Sequence, residues 1–193
     1  PGVMGMILML ICAMMTSISI VREKEVGTME VLLVSPMKPI YIILSKAVPY
    51  FTLSLVNLTT VLLLSVFLLG VPISGSIFWL IIVSVIFILV ALSIGLLIST
   101  LVDTQVAAML ISGLVFMMPV MLLSGMIFPV ENMPFILRAI AQFIPAKWYI
   151  LAVKKLMIQG LPVGYVLTEI SVLVGMAVVF TTISLKKFRI RLA

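Results

Sequence analysis

Hydrophobic residues in this chain come in long unbroken blocks, with neither the one-in-two alternation of a half-buried strand nor the single stripe of a soluble helix. Five blocks, at about residues 3–21, 47–69, 77–99, 106–123 and 163–185, each approach the roughly 20 residues that a bilayer core of about 30 Å demands. They predict five membrane-spanning helices separated by four polar breaks. Arg22 is read as the end of the first block, and Lys46 as standing at the mouth of the second, where a long side chain snorkels to the headgroups. Ser35-Pro36 and Lys38-Pro39 make a jointed connection. Pro49 suits a first helical turn or a kink. Residues 70–75 form an uncharged turn and residues 101–105 a short turn carrying Asp103. Pro119 in the fourth block is tolerated where neighbours satisfy the carbonyl it frees.

The first break, REKEVGTMEVLLVSPMKP from Arg22 to Pro39, has its own pattern. On a helical wheel Val26, Met29, Leu32 and Leu33 fall within about a third of the circumference, with Glu23, Gly27 and Glu30 along the adjoining edge. This predicts a short amphipathic helix over residues 22–36, too polar to cross a bilayer. Its apolar stripe lies on lipid or on the feet of the spans, leaving Glu23 and Glu30 to face water or a protein. Val31 and Val34 point away from that stripe, which favours a docking partner. An ordinary charged loop of zero net charge is the competing reading.

Residues 124–162 are different in kind. SGMIFPVENMP is turn-like, and two short helical patterns follow, 135–144 and 146–158, split by Pro145. Arg138, Lys147, Lys154 and Lys155 make this a poor span, since each cation near the bilayer centre costs ~3 kcal/mol on insertion scales. Two amphipathic helices lying at, or dipping partly into, one membrane surface are therefore expected. Trp148 and Tyr149 would sit at headgroup depth, as aromatic belts do.

Composition agrees. With 64% hydrophobic and 9% charged residues and a mean hydropathy of +1.45, 193 residues cannot hide their apolar surface in one soluble core. The net charge of +6 is not a nucleic-acid signature, because Lys and Arg cluster at the ends of apolar blocks. Counting orients the chain: the first break, the Asp103 turn and the tail with Lys186, Lys187, Arg189 and Arg191 hold eight of the twelve Lys and Arg, and residues 124–162 hold four. Positive charge favours the cytoplasm, so the first break and the C-terminus are expected there. Cys12, alone, permits no intrachain disulfide. The start at Pro1, without Met or leader, suggests the C-terminal part of a longer protein.

Candidate chemistry is mostly excluded. There is no histidine, Asp103 is the one aspartate, and no glycine precedes a lysine. His-based triads, HExxH zinc sites, aspartyl dyads and a GxxxxGK[ST] phosphate loop are all ruled out. Glu169, read as two turns into the last span, is either a functional intramembrane carboxylate or a partner of Lys154 or Lys155. Asn57 is an interhelical hydrogen-bonding residue or a substrate ligand. Ala91, Gly95 and Ser99, spaced by four, permit close helix approach or reflect chance. Fifteen methionines suit adaptable packing or a wall for mixed apolar substrates.

REKEVGTMEVLLVSPMKP, IST at Ile98 followed by TQ at Gln105, LLSGMIFPVENMP from Leu122 and IPAKWY from Ile144, in that order, resemble the permease subunits of type-two ATP-binding-cassette exporters, in particular bacterial multidrug-type efflux permeases. The resemblance implies an all-α polytopic membrane helix bundle, six spans in the family and five here, paired with a second permease and with separate ATPase subunits that bind the ATP. It implies that Glu23, Glu25, Gly27, Thr28, Glu30 and Pro36 form the ATPase-coupling helix. Pro129, Glu131, Pro134, Pro145, Trp148 and Tyr149 would belong to an extracytoplasmic re-entrant hairpin over residues 126–160. It further implies a bacterial inner membrane, a small apolar or amphiphilic substrate, no metal or cofactor of the chain's own, and a first span and extracytoplasmic domain ahead of Pro1. A secondary transporter or a noncatalytic membrane scaffold are the alternatives from other classes.

Overall fold

The computed structural model describes residues 1–192, with the side chains of 33, 39, 115 and 189–192 left aside; the readings of Leu33, Arg189 and Arg191 fall outside the described residues. Among the described residues there is no strand. The chain is an all-α bundle with five helices long and apolar enough to cross a membrane, or six if one bent pair is counted as a span. Helices and closed barrels are the only structures that satisfy every backbone polar group in hydrocarbon, and blocks of this length select helices.

Helix α1 is Gly2–Val26, α2 Thr28–Val34, α3 Pro39–Leu63 and α4 Ile77–Leu101. A π-helical turn, Leu64–Leu68, extends α3. The next span joins α5, Gln105–Leu110, to α6, Phe116–Leu123, through a second π-helical turn, Ile111–Val115. Helices α7, Phe135–Ala141, and α8, Pro145–Val153, follow, a third π turn prolonging α8 to Ile158, and α9 is Leu167–Leu192.

The centre is α4, packed lengthwise between α1 and α9. Lipid tails are as apolar as leucine, so close packing and interhelical hydrogen bonds hold such a bundle together rather than hydrophobic burial. At Gly95, α4 crosses α1 tightly: a Cβ there would lie 2.7 Å from the Ala13 carbonyl oxygen and 2.9 Å from Thr16 Cβ. Hydroxyl contacts pin the other neighbours. Cys12 Sγ lies 2.9 Å from Ser54 Oγ of α3, Ser17 Oγ 3.0 Å from Ser112 Oγ, and Ser93 Oγ 2.7 Å from Thr181 Oγ1 of α9.

Several boundaries differ from the sequence reading. Helix α1 does not stop at Arg22 but runs on to Val26, because Arg, Glu and Lys are good helix formers and no breaker precedes Gly27. The amphipathic helix expected over 22–36 is thus two pieces: the last turn of α1, and α2. Helix α3 begins at Pro39, whose fixed φ suits a first turn. Lys46 therefore lies two turns inside the helix, and Pro49 in its interior rather than its first turn. Glu169 is in the first turn of α9, not two turns in, since residues 163–165 form a separate 3-10 turn.

Candidate functional site

Gly27 ends α1 at φ 83°, a left-handed conformation that glycine adopts without penalty, and its N–H donates to the Lys24 carbonyl at 3.2 Å. The chain turns sharply there into α2. Met29 is buried beneath α2 in a small apolar cluster with Ile20, Ile42, Ile43, Leu96 and Phe188, and Leu32 packs against it. Helix α2 thus sits on the feet of α1, α3, α4 and α9. Glu30 and Thr28 are exposed, as are Val31 at 72% and Val34 at 87%. Ser35 to Lys38 form an extended link with Pro36 exposed.

The last turn of α1 is tied to three other helices. Glu23 pairs with Lys46 of α3, and both side chains are largely screened from solvent, 20% and 29% exposed. This corrects the expectation that Glu23 faces water or a partner: Lys46, one helix away, draws it inward. Lys24 Nζ donates to the Ser99 carbonyl in the last turn of α4, where the helix dipole favours a cation. Glu25 Oε2 accepts from Gln105 Nε2 at 2.9 Å and from the Gln105 backbone N–H at 3.2 Å, at the start of α5, where the dipole favours an anion. Thr104 caps the same helix by accepting from the Ala107 N–H at 3.2 Å. Three consecutive residues therefore clamp α1 to α3, α4 and α5.

At the opposite end α7 and α8 form a hairpin bent by 82°. Pro134 caps α7, and Pro145 is the first residue of α8, where its missing N–H costs nothing. Arg138 donates to the Glu131 carbonyl, holding the turn that follows Pro129. Trp148 Nε1 donates to the Gln142 carbonyl at 2.9 Å across the break. Tyr149 does not sit in an aromatic belt. It is fully buried, stacked on Phe87 at 4.2 Å between ring centroids with its hydroxyl 2.9 Å from Ser84 Oγ. Helix α8 enters the bundle between α1, α4 and α9 rather than lying at its surface, because Ala146, Ala152 and Val153 give it a face small enough to pack.

Residues 1–186 match the profile of the ABC-2 family transporter proteins. The chain belongs to the ABC-2 transporter family. It is 36% identical over 193 residues to the probable multidrug ABC transporter permease YbhS of Escherichia coli K12, covering all of this chain and 51% of that protein. Identity to the probable multidrug ABC transporter permease YbhR of the same organism is 38% over 149 residues, 77% of this chain and 40% of the relative. ABC transporter G family member 23 of Dictyostelium discoideum is 29% identical over 165 residues, 86% of this chain and 23% of the relative. The chain therefore spans about half the length of the first two E. coli relatives or less. No solved structure is a significant match. This ABC-2 chain is a multi-pass membrane protein of the permease type.

Within the ABC-2 fold, the structure brings together Glu23 and Glu25, with Gly27, Thr28, Glu30 and Pro36 on the adjoining elbow and helix. Pro129, Glu131, Pro134, Pro145 and Trp148 gather at the other end. Asn57 and Glu169 join neither group. Asn57 Nδ2 is buried and unpartnered in α3. Glu169 Oε1 pairs with Lys155 Nζ at 2.6 Å, and Lys155 also donates to the Tyr165 carbonyl at 2.9 Å. Sequence reasoning missed Lys24, Lys46, Ser99 and Gln105 as parts of the α1 clamp. IST and TQ were visible motifs, but nothing local in them pointed at α1. Among the described residues no cluster of three or more His, Cys, Asp or Glu is arranged to hold a metal.

Proposed function

We propose that the protein containing this chain is the membrane-spanning permease of an ATP-driven exporter. It works as a pair of permeases, homo- or heteromeric, with ATP bound and hydrolysed by a separate ATPase subunit rather than by this chain. Its place is a bacterial inner membrane, with α2 and the C-terminus in the cytoplasm, as the eight-to-four division of Lys and Arg favours. Its substrate is a small apolar or amphiphilic molecule, in line with the multidrug designation carried by the E. coli relatives.

The observation that supports coupling best is the arrangement at the α2 end. Closure of a soluble ATPase does work on a membrane protein only through a rigid element that it grips. Helix α2 offers Glu30, Val31 and Val34 outward while Met29 anchors it inward. One residue separates it from a helix end clamped to three others, so displacement of α2 is passed at once to α1, α3, α4 and α5. Such packed contacts have discrete arrangements, which turns a small local shift into a movement of whole helices.

The double variant Glu30→Lys/Val34→Asp tests the docking face. Both side chains are exposed, so insertion and folding remain intact. Copurification of the ATPase subunit is expected to fall by about tenfold or more, as for a disrupted interface centre. Undiminished equal-stoichiometry recovery of the ATPase would contradict the assignment.

A further inference from the structure

The hairpin end holds a cavity of about 320 Å3, and its wall is charged. Arg138, Lys147 and Lys154 line it against a single carboxylate, Glu131, leaving two positive charges in excess. Two of its polar groups lie deep. Lys147 is 6% exposed and is engaged over the Trp148 ring, 4.6 Å from the centroid. Ser124 is 2% exposed, and its hydroxyl is buried without a hydrogen-bond partner in the protein. A lysine side chain so deeply enclosed, with its ammonium at the cavity, is costly unless something there accepts from it. An anion does so: it takes charge-assisted hydrogen bonds from lysine and arginine.

Beyond the same Pro129 wall lies a second cavity of about 530 Å3 with the opposite character. Leu122, Phe128, Met133 and Leu137 line it. Arg138 and Leu137, adjacent in α7, face the polar and the apolar cavity respectively. The geometry points to a binding site for an anionic amphiphile, with a phosphate or carboxylate head between Lys147 and Arg138 and the apolar tail in the cleft beside Leu137. Neither a cationic drug nor an uncharged hydrocarbon satisfies both cavities. The ligand is either a membrane lipid that seals the hairpin or the exported molecule itself; the chemistry of the head is shared.

Trp148 beside Lys147 supplies the readout. The full-length protein is placed in phosphatidylcholine nanodiscs and titrated with dodecyl phosphate while emission is compared with that of a Trp148→Phe variant. A saturable change confined to the Trp148-containing protein is expected, with no such change for dodecyl maltoside or dodecyltrimethylammonium. Lys147→Met and, independently, the exposed Arg138→Gln are each expected to weaken binding by about tenfold or more, and Lys147→Arg to retain it. Equal responses to the three head groups, or unaltered affinity in both neutral variants, would overturn the site. Inorganic phosphate binding as tightly as dodecyl phosphate would contradict the amphiphile. A final arm rests on the exporter reading alone: with the ATPase subunit and ATP, an exported ligand loses occupancy during turnover and a sealing lipid keeps it, and either result leaves the site standing.

Discussion

Gly95→Leu is expected to dismantle the centre of the bundle. At this crossing α1 and α4 meet backbone to backbone, and even a single Cβ would sit 2.7 Å from the Ala13 carbonyl oxygen and 3.1 Å from Ala13 Cα. Those are backbone atoms of a long helix, so the neighbour cannot swing aside as a flexible side chain would. Overpacking of a tight core costs about 1–3 kcal/mol even where side chains can adjust, and here the helices must separate. Because α4 also carries the contacts to α8 and α9, the loss spreads. Purified in detergent, the variant should show a sharply lowered thermal midpoint by size-exclusion recovery, while membrane insertion, which depends on block hydrophobicity, is unchanged. Gly175→Ala in α9 is the control: nothing lies within 4 Å of its Cβ position, and the change should be neutral or slightly stabilising.

Glu23→Lys is expected to separate ATPase binding from transport. The side chain does not reach the exposed face of α2; it lies against Lys46, and one of its carboxylate oxygens is buried without a partner. Reversal sets two cations side by side on α1 and α3 and frees the last turn of α1 from one of its three ties. The proposed docking face with Glu30, Val31 and Val34 is untouched. ATPase copurification should therefore persist, while export falls by about tenfold or more and hydrolysis ceases to respond to substrate. The pair is partly solvated, so a large loss of stability is not expected. The exchange Glu23→Lys/Lys46→Glu should recover most of the transport. Glu30→Lys/Val34→Asp gives the opposite pattern, with binding lost first. Identical defects in the two variants would remove the distinction between a gripped face and a transmitting clamp.

The fold class was legible because hydrocarbon leaves a sequence few options: blocks near 20 apolar residues become helices whatever their partners. Exposure of Val31 and Val34 was legible for a related reason, since a wheel needs only local spacing. The ends of the helices were less so. Arg22 to Val26 carry charge, which reads as the end of the first span and the start of a separate amphipathic helix, yet their helix propensity continues α1 until Gly27 ends it. Pro49 could not be placed without knowing that Pro39 starts the helix. The clamp was invisible because its partners are remote: Glu25 and Gln105 are 80 positions apart, and Lys24 and Ser99 are 75. Tyr149 misled for the same reason. An aromatic residue next to tryptophan and lysine looks interfacial until Phe87 and Ser84, from another span, are seen to enclose it.

One labelling experiment bears most directly on whether α2 is a cytoplasmic handle for an ATPase. Val34→Cys places a thiol at a highly exposed point of α2, and the native Cys12 is buried. A membrane-impermeant maleimide should label it in inverted membrane vesicles and not in intact cells, and added ATPase subunit should protect it. Labelling from outside intact cells, or full reactivity in the presence of saturating ATPase, would contradict it.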